Sequence, residues 1–199
     1  MVFPPWLLLI SAWIFFGLLH SLLAAAFVKQ LAMRKMNGFY KYYRFMYSLF
    51  ATALLVLVLY YHFSCPALLL WQSPLPEKII AILFIIAGAG IVVACIGKYF
   101  FDLSGIDAIR GKIKPLVLQQ TGMHAYVRHP LYFGTLLFVW ALFFLYPFLN
   151  NGISCICISL YTLVGIYFEE KKLVNEYGEA YQKYQARVPG LLPTGFWKK

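Results

Sequence analysis

The chain has 199 residues, of which 62% are hydrophobic, 19% aromatic and 12% charged. Soluble domains hold about 45–50% apolar and about 25% charged residues, so this composition excludes a soluble globular protein, and the aromatic content excludes a disordered one. The formal charge of +10, from 17 Lys and Arg against 7 Asp and Glu, points to nucleic acid only if the basic residues are not spent on membrane topology.

A bilayer-crossing helix needs about 20 apolar residues, and the charge-free stretches supply them. No charged side chain precedes Lys29, and none falls between Arg44 and Glu77, between Lys78 and Lys98, or between Arg128 and Glu169. The first stretch predicts a span over 6–27. With no basic residue ahead of a long apolar core, it reads as an uncleaved span and not a signal peptide. The second predicts a span over 45–63, followed by a loop carrying Pro66 and Pro76, and the third a span over 79–97. The fourth is twice as long and is interrupted at Asn150-Asn151-Gly152. It predicts a helical hairpin of 131–149 and 152–168.

The expectation is an all-α, polytopic membrane protein with five transmembrane helices, a C-terminal hairpin and a cytoplasmic amphipathic tail. It forms a single integral-membrane domain over 1–199. Residues 1–99 give three spans, and 100–199 give a cofactor-binding loop, the hairpin and the tail. Sixteen of the 17 basic residues fall on one side of such a topology, with Lys78 the exception. The positive-inside rule then places the N-terminus outside and the C-terminus in the cytoplasm. The net charge is accounted for by topology and anionic headgroups, without a nucleic-acid partner. Cys65, Cys95, Cys155 and Cys157 form no CxxC pair, and His20, His62, His124 and His129 show no paired ligand spacing, so no metal site is expected.

Polar residues gather in two stretches, 100–134 and 168–193. Pro130 fits the first turn of a helix, where a missing N–H costs nothing. Arg128 and His129 then sit at a helix N-terminus, whose free N–H groups and positive dipole favour anions. Tyr132 and Gly134 follow on the first turn. The same residues also allow a plainer reading, with Arg128 reaching to headgroups and His129 capping a helix. Glu169 and Glu170 end the apolar run. They sit badly at a helix C-terminus unless a cation is near or the helix continues. Leu173, Tyr177, Tyr181 and Tyr184 share one helical face, which Pro189 and Gly190 terminate. That face suits either a lipid surface or a lid folded over the cytoplasmic mouth.

The strings Gly122-x-x-x-Tyr126-x-Arg128-His129-Pro130-x-Tyr132-x-Gly134, Glu169-Glu170-x-x-Leu173 and Tyr177-Gly178-x-x-Tyr181-x-x-Tyr184 together resemble the isoprenylcysteine carboxyl methyltransferase and phospholipid methyltransferase superfamily. Its members are integral-membrane enzymes that use S-adenosylmethionine. The match covers the C-terminal half. In the N-terminal half, Gly17-Leu18-Leu19-His20-Ser21, Tyr43-Arg44 with Tyr47-Ser48, and Phe101-Asp102-Leu103-x-Gly105 are similar to methanethiol S-methyltransferases.

The resemblance implies a methyltransferase with S-adenosylmethionine as cofactor and S-adenosylhomocysteine as product. It implies cofactor binding by Gly122, His124, Tyr126, His129, Pro130, Tyr132 and Glu169, and catalytic roles for Arg128, His129 and Glu169. Residues 116–119 align with a segment lining the same pocket. Two positions depart from the pattern. His124 stands where an aromatic residue usually contacts the cofactor. Gly165 stands one turn before Glu169, where the isoprenylcysteine enzymes carry a substrate-binding Arg. The acceptor is therefore expected to be a small thiol or another lipophilic molecule from the bilayer. The alternatives are a true isoprenylcysteine carboxyl methyltransferase, an NADPH-binding membrane reductase, and a non-catalytic assembly or transport protein.

Overall fold

The computed structural model describes residues 4–111 and 117–194. The calls on Lys112, Lys114, Leu116, Lys198 and Lys199 lie outside the described residues. Among those described there is no strand, only a single antiparallel bridge between Leu69 and Phe148.

The helices are α1 (Pro5–Ala24), α2 (Ala26–Met36), α3 (Tyr43–Ser64), α4 (Leu75–Leu103), α5 (Ile106–Ile109), α6 (Pro130–Leu145), α7 (Leu149–Tyr177) and α8 (Glu179–Arg187). Short 3-10 turns cover Asn37–Tyr42 and Gly122–Ala125. Local chemistry sets the boundaries. Pro5 and Pro130 occupy first-turn positions of α1 and α6, where proline costs no hydrogen bond. Cys65 precedes Pro66, takes an extended conformation and ends α3. Gly178, at φ +55, separates α7 from α8.

Among the described residues, four apolar stretches are long enough to cross a membrane: Pro5–Ala24, Ala26–Ser64, Leu75–Ile109 and Leu149–Tyr177. The chain is a multi-pass helical membrane protein. The predicted span over 131–149 is instead the 16-residue helix Pro130–Leu145, shorter than a crossing helix needs. The reason lies in Pro147. The residue before it, Tyr146, is pushed out of the helical region to φ −128, ψ 81, and the hairpin turns there. Asn150, Asn151 and Gly152, expected to form the turn, lie in the first turn of α7.

The residues cluster into two compact units. One comprises residues 4–70, 97–111 and 148–157. In it α1 and α3 pack along each other, and the buried side chains include Leu9, Trp13, Val58 and Cys155. A polar network runs through this apolar interior. Trp13 Nε1 donates to Ser154 Oγ at 2.8 Å, and His62 Nδ1 lies 2.9 Å from the same oxygen. His62 Nε2 lies 3.0 Å from Asn151 Oδ1. Ile14, Phe15, Leu18, Leu57 and Val56 point outward instead, as a lipid-facing surface requires.

The other unit comprises residues 71–96, 117–147 and 158–194. Its α4 and α6 approach backbone to backbone at two glycines. A Cβ on Gly88 would stand 2.8 Å from Phe138 N and 2.9 Å from Gly134 O. Gly90, two residues further along α4, has nothing within 4 Å of a built Cβ. Trp140 Nε1 donates to Ser159 Oγ at 3.0 Å, tying α6 to α7. Trp71 meets Phe143 edge to face at 5.2 Å, and Ser73 Oγ donates to Phe144 O at 2.6 Å.

Candidate functional site

Pro130 starts α6, so Arg128 and His129 sit just ahead of its first turn. The apolar run of α7 ends at Phe168, and the helix continues for nine more residues to Tyr177. Glu169 and Glu170 are therefore mid-helix and face no opposing dipole. They meet Arg128 and His129 within one unit.

Glu170 is the centre of this cluster. Its Oε1 accepts from Arg128 Nε at 2.9 Å, from His129 Nε2 at 2.6 Å and from the Tyr181 hydroxyl at 3.0 Å. Its Oε2 accepts from Gln185 Nε2. Burial alone would raise the carboxyl pKa. The donors from Arg128, Gln185, His129 and Tyr181 outweigh that and hold it at about 2, against an ordinary 4.5. Glu170 is thus a carboxylate at any physiological pH. An ionised carboxylate only accepts, so His129 Nε2 carries the hydrogen. Tyr181 moves the other way: burial and its bond to Glu170 push its phenol up.

The tail closes over this cluster. Arg128 Nη1 donates to Val188 O at 2.5 Å and to Gln185 O at 3.2 Å. The backbone N–H groups of Arg128 and His129 donate to Pro189 O at 2.9 Å and Gly190 O at 3.0 Å. The Tyr184 hydroxyl donates to His124 O at 2.6 Å. Tyr181 and Tyr184 are buried at 1% and 2% exposure. Of the two expectations for the tail, the structure has the fold-back: α8 packs on the start of α6 and the end of the apolar run of α7.

The sequence-predicted site residues fall into three groups. Arg128 and His129 are in the cluster, with His129 buried at 5% and its ring stacked on Tyr132 at 5.7 Å. Arg128 spends its donors on Glu170 and the tail, so its fork is engaged by the protein itself. Glu169 has 42% of its side chain exposed, and its Oε2 lies 3.7 Å from His129 Nδ1. It is the carboxylate of the pair left open. His124, Tyr126 and Gly122 lie on the loop leading to α6. Gly122, at φ +65, opens a 3-10 turn. His124 Nδ1 lies 3.2 Å from Arg128 O, and Tyr126 is 55% exposed. Pro130 is buried at the helix start. Sequence reasoning missed Glu170 as the hub and missed Gln185 entirely. Glu170 was visible only as the second letter of a pair, and the tail periodicity that picked out Tyr181 passes over Gln185.

The N-terminal fragments also converge, within the other unit. The Tyr47 hydroxyl lies 2.9 Å from His20 Nε2, and the two rings are 5.4 Å apart. A Cβ on Gly105 would stand 2.7 Å from Phe45 N and 2.9 Å from Arg44 Cβ. Among the described residues no group of three His, Cys, Asp or Glu side chains is placed to hold a metal ion.

A helical membrane unit with a buried Arg–His–Glu cluster, sealed by a C-terminal helix, is the class of protein the fold and site define. The chain belongs to the NnrU family, whose model matches residues 8–193. It is 31% identical over 154 residues to the methanethiol S-methyltransferase of Pseudomonas deceptionensis, covering 72% of this chain and 57% of that protein. It is 34% identical over 130 residues to the methanethiol S-methyltransferase of Pseudomonas sp. strain GM41(2012), covering 61% and 48%. It is also 32% identical over 111 residues to the protein-S-isoprenylcysteine O-methyltransferase of Schizosaccharomyces pombe, covering 50% and 46%. The chain spans about half the length of these relatives. No solved structure matches it.

Proposed function

We propose that this chain is an S-adenosylmethionine-dependent membrane methyltransferase acting on a small thiol or another lipophilic acceptor. The observation that supports it most is the meeting of the Arg128-His129-Pro130 and Glu169-Glu170 strings, 41 residues apart, in one buried ion-pair cluster, in a chain similar to several methyltransferases.

The donor set fits such a cofactor. Glu170 and Arg128 are fully engaged with each other and the tail. Glu169 is left with an exposed carboxylate beside His129 Nδ1, suited to accept from an ammonium or from ribose hydroxyls. Tyr126, exposed on the approach loop, offers a ring face, and the positive end of the α6 dipole favours an anion. In this reading Gly122, His124, Tyr126, His129, Pro130, Tyr132 and Glu169 surround the cofactor. The bound cofactor supplies an electrophilic methyl group on a sulfonium.

Arg128 is then a positioning residue. It fixes Glu170, and Glu170 in turn fixes the His129 tautomer, leaving Nδ1 toward Glu169. A buried, water-poor site favours a step in which a cationic donor and an anionic acceptor lose their charges together. A thiolate needs no further base. For a neutral thiol or amine, Nδ1 of His129 and the carboxylate of Glu169 are the groups in place to take a proton. The side chain at 165 bears on the acceptor. Gly165 has open space around its Cβ position and carries no cation, which disfavours a prenylcysteine carboxylate.

A ligand-stabilisation experiment separates this reading from an NADPH-binding reductase. S-adenosylhomocysteine raises Tm of the purified protein and NADPH leaves it unchanged. The opposite pattern would replace the methyltransferase with a reductase.

A further inference from the structure

The two glutamates flank one imidazole ring at its two nitrogens. Glu170 Oε1 accepts from His129 Nε2 at 2.6 Å, while Glu169 Oε2 lies 3.7 Å from Nδ1, beyond hydrogen-bond reach. A neutral imidazole carries one ring N–H, so the two carboxylates compete for it. With the hydrogen on Nε2, Nδ1 is a bare acceptor and Glu169 stays open. With the hydrogen on Nδ1, the ring turns a donor on Glu169 and a lone pair on Glu170.

The tail supports the Glu170 side of this competition. Around the ring stand Arg128 and Tyr132 at the start of α6, Glu169 and Glu170 on α7, and Tyr181 and Gln185 on α8. Oε1 of Glu170 accepts from Arg128, His129 and Tyr181, whereas Oε2 accepts from Gln185. A carboxylate held at one oxygen can still turn about its last bond, and Gln185 is the donor that holds the other. The main-chain carbonyl of Gln185 also accepts from Arg128 Nη1 at 3.2 Å. One residue of α8 therefore touches both members of the Arg128–Glu170 pair. Tyr181 and Gln185 reach the cluster only because the chain turns back at Gly178, where φ is +55.

We infer that α8 decides the tautomer of His129, with Gln185 as the positioning residue. Docked, it holds Glu170 so that Nε2 keeps the hydrogen, and Nδ1 and Glu169 are two open acceptors. Without the Gln185 amide, Glu170 turns, the ring hydrogen is shared with Glu169, and both acceptors are lost together. The tail switches the site as well as covering it. What the switch controls rests on the methyltransferase reading; the tautomer does not, and it is read without cofactor or acceptor.

The full chain, carrying ¹⁵N-histidine in lipid nanodiscs, is examined by NMR at about pH 9, well above the range of an ordinary imidazole. His129→Gln assigns the His129 signals among those of His20, His62 and His124. The parent shows the Nε2–H form of His129 alone. Gln185→Met, of similar length but without a donor, gives a mixture of both tautomers. Tyr181→Phe, which removes the other α8 donor, does the same and carries the test if Gln185→Met does not fold. Arg187→Ala breaks a tail contact that does not involve Glu170, from Arg187 Nη2 to Gln120 Oε1 at 3.3 Å, and keeps the parent signal. S-adenosylhomocysteine binds Gln185→Met about tenfold more weakly, as loss of one hydrogen bond requires, and binds Arg187→Ala as it binds the parent. The parent tautomer in folded Gln185→Met overturns the inference, as does a parent with hydrogen on Nδ1 or on both nitrogens. An equal change in Arg187→Ala overturns it too, since α8 is then only a cover. A tautomer that responds as stated, in protein that binds no S-adenosylhomocysteine, upholds the switch and removes the methyltransferase.

Discussion

Two adjacent glutamates do different work, and the difference is measurable. Glu170 neutralises Arg128 and accepts from His129 inside the protein, so Glu170→Ala leaves two donors without their acceptor. Removing one partner of a buried pair costs about 3–5 kcal/mol, and this variant should lose that order of stability in denaturant unfolding. Glu169 is 42% exposed, and Glu169→Ala should change stability by less than about 0.5 kcal/mol. It should instead weaken S-adenosylhomocysteine binding by about 1–3 kcal/mol in calorimetry, the cost of a lost charge-assisted bond. His129→Ala should weaken binding by a similar amount. Exchange of the two glutamate phenotypes would reverse the assignment. Acid titration gives a second check. The Glu170 carboxyl is held at about 2 in the folded protein against 4.5 ordinarily, so the folded state binds that proton more weakly than the unfolded one. Its stabilising contribution is complete above pH 4.5 and fades as pH falls toward 2. Tm of the parent protein should fall across that window more steeply than Tm of Glu170→Gln; parallel curves would contradict the donor arrangement around Glu170.

At the scale of helices, the glycine contact between α4 and α6 sets how closely the site-bearing unit packs. A Cβ at Gly88 would press on the backbone of α6 at Phe138 and Gly134, which cannot rotate aside as a side chain can. Gly88→Ala should destabilise by about 1–3 kcal/mol. Gly90→Ala meets open space and should stabilise by about 0.5–1 kcal/mol, as alanine does in a helix interior. Equal effects of the two in thermal unfolding would show that the helices are not in close contact. The same elements show what the sequence makes legible. Spans one to three follow from charge-free apolar runs, and α3 ends within one residue of its expected place because Ser64, Cys65 and Pro66 leave no other choice. The hairpin was misplaced because Asn-Asn-Gly is a strong local turn signal, yet Pro147 acts on Tyr146 through sterics that no helix can evade. The choice for the tail between lipid and fold-back was not readable from its periodicity. An amphipathic face states that it will be buried, not against what; only the partners of Tyr181 and Tyr184 decide it. Arg128, His129 and the glutamate pair stood out in the sequence as a candidate cluster because each is ill-suited to an apolar chain, whereas which glutamate turns inward depends on the rotation of α7.

For the molecule as a whole, the charge distribution and the helix lengths make separate demands. The division of 16 basic residues to 1 favours a cytoplasmic C-terminus, which requires that the hairpin helix α6, 16 residues long, complete a crossing together with its flanking residues. At 1.5 Å per residue it reaches about 24 Å, short of a hydrocarbon core of about 30 Å. Local thinning of the bilayer covers such a gap at modest cost. Reporter fusions at Pro76 and after Lys199 should therefore report opposite sides of the membrane. Matching reports would mean that α6 is re-entrant and that four helices alone cross. The direct measurement of methyl transfer incubates the purified protein with labelled S-adenosylmethionine and a panel of small thiols, lipids and a farnesylcysteine analogue. Label should appear in a small thiol, at a rate that rises with pH as the thiolate forms and is not improved by Gly165→Arg. Label in the farnesylcysteine analogue with none in any thiol would contradict the acceptor class. No label in any acceptor, from folded protein that fails to bind S-adenosylhomocysteine, would contradict the enzyme.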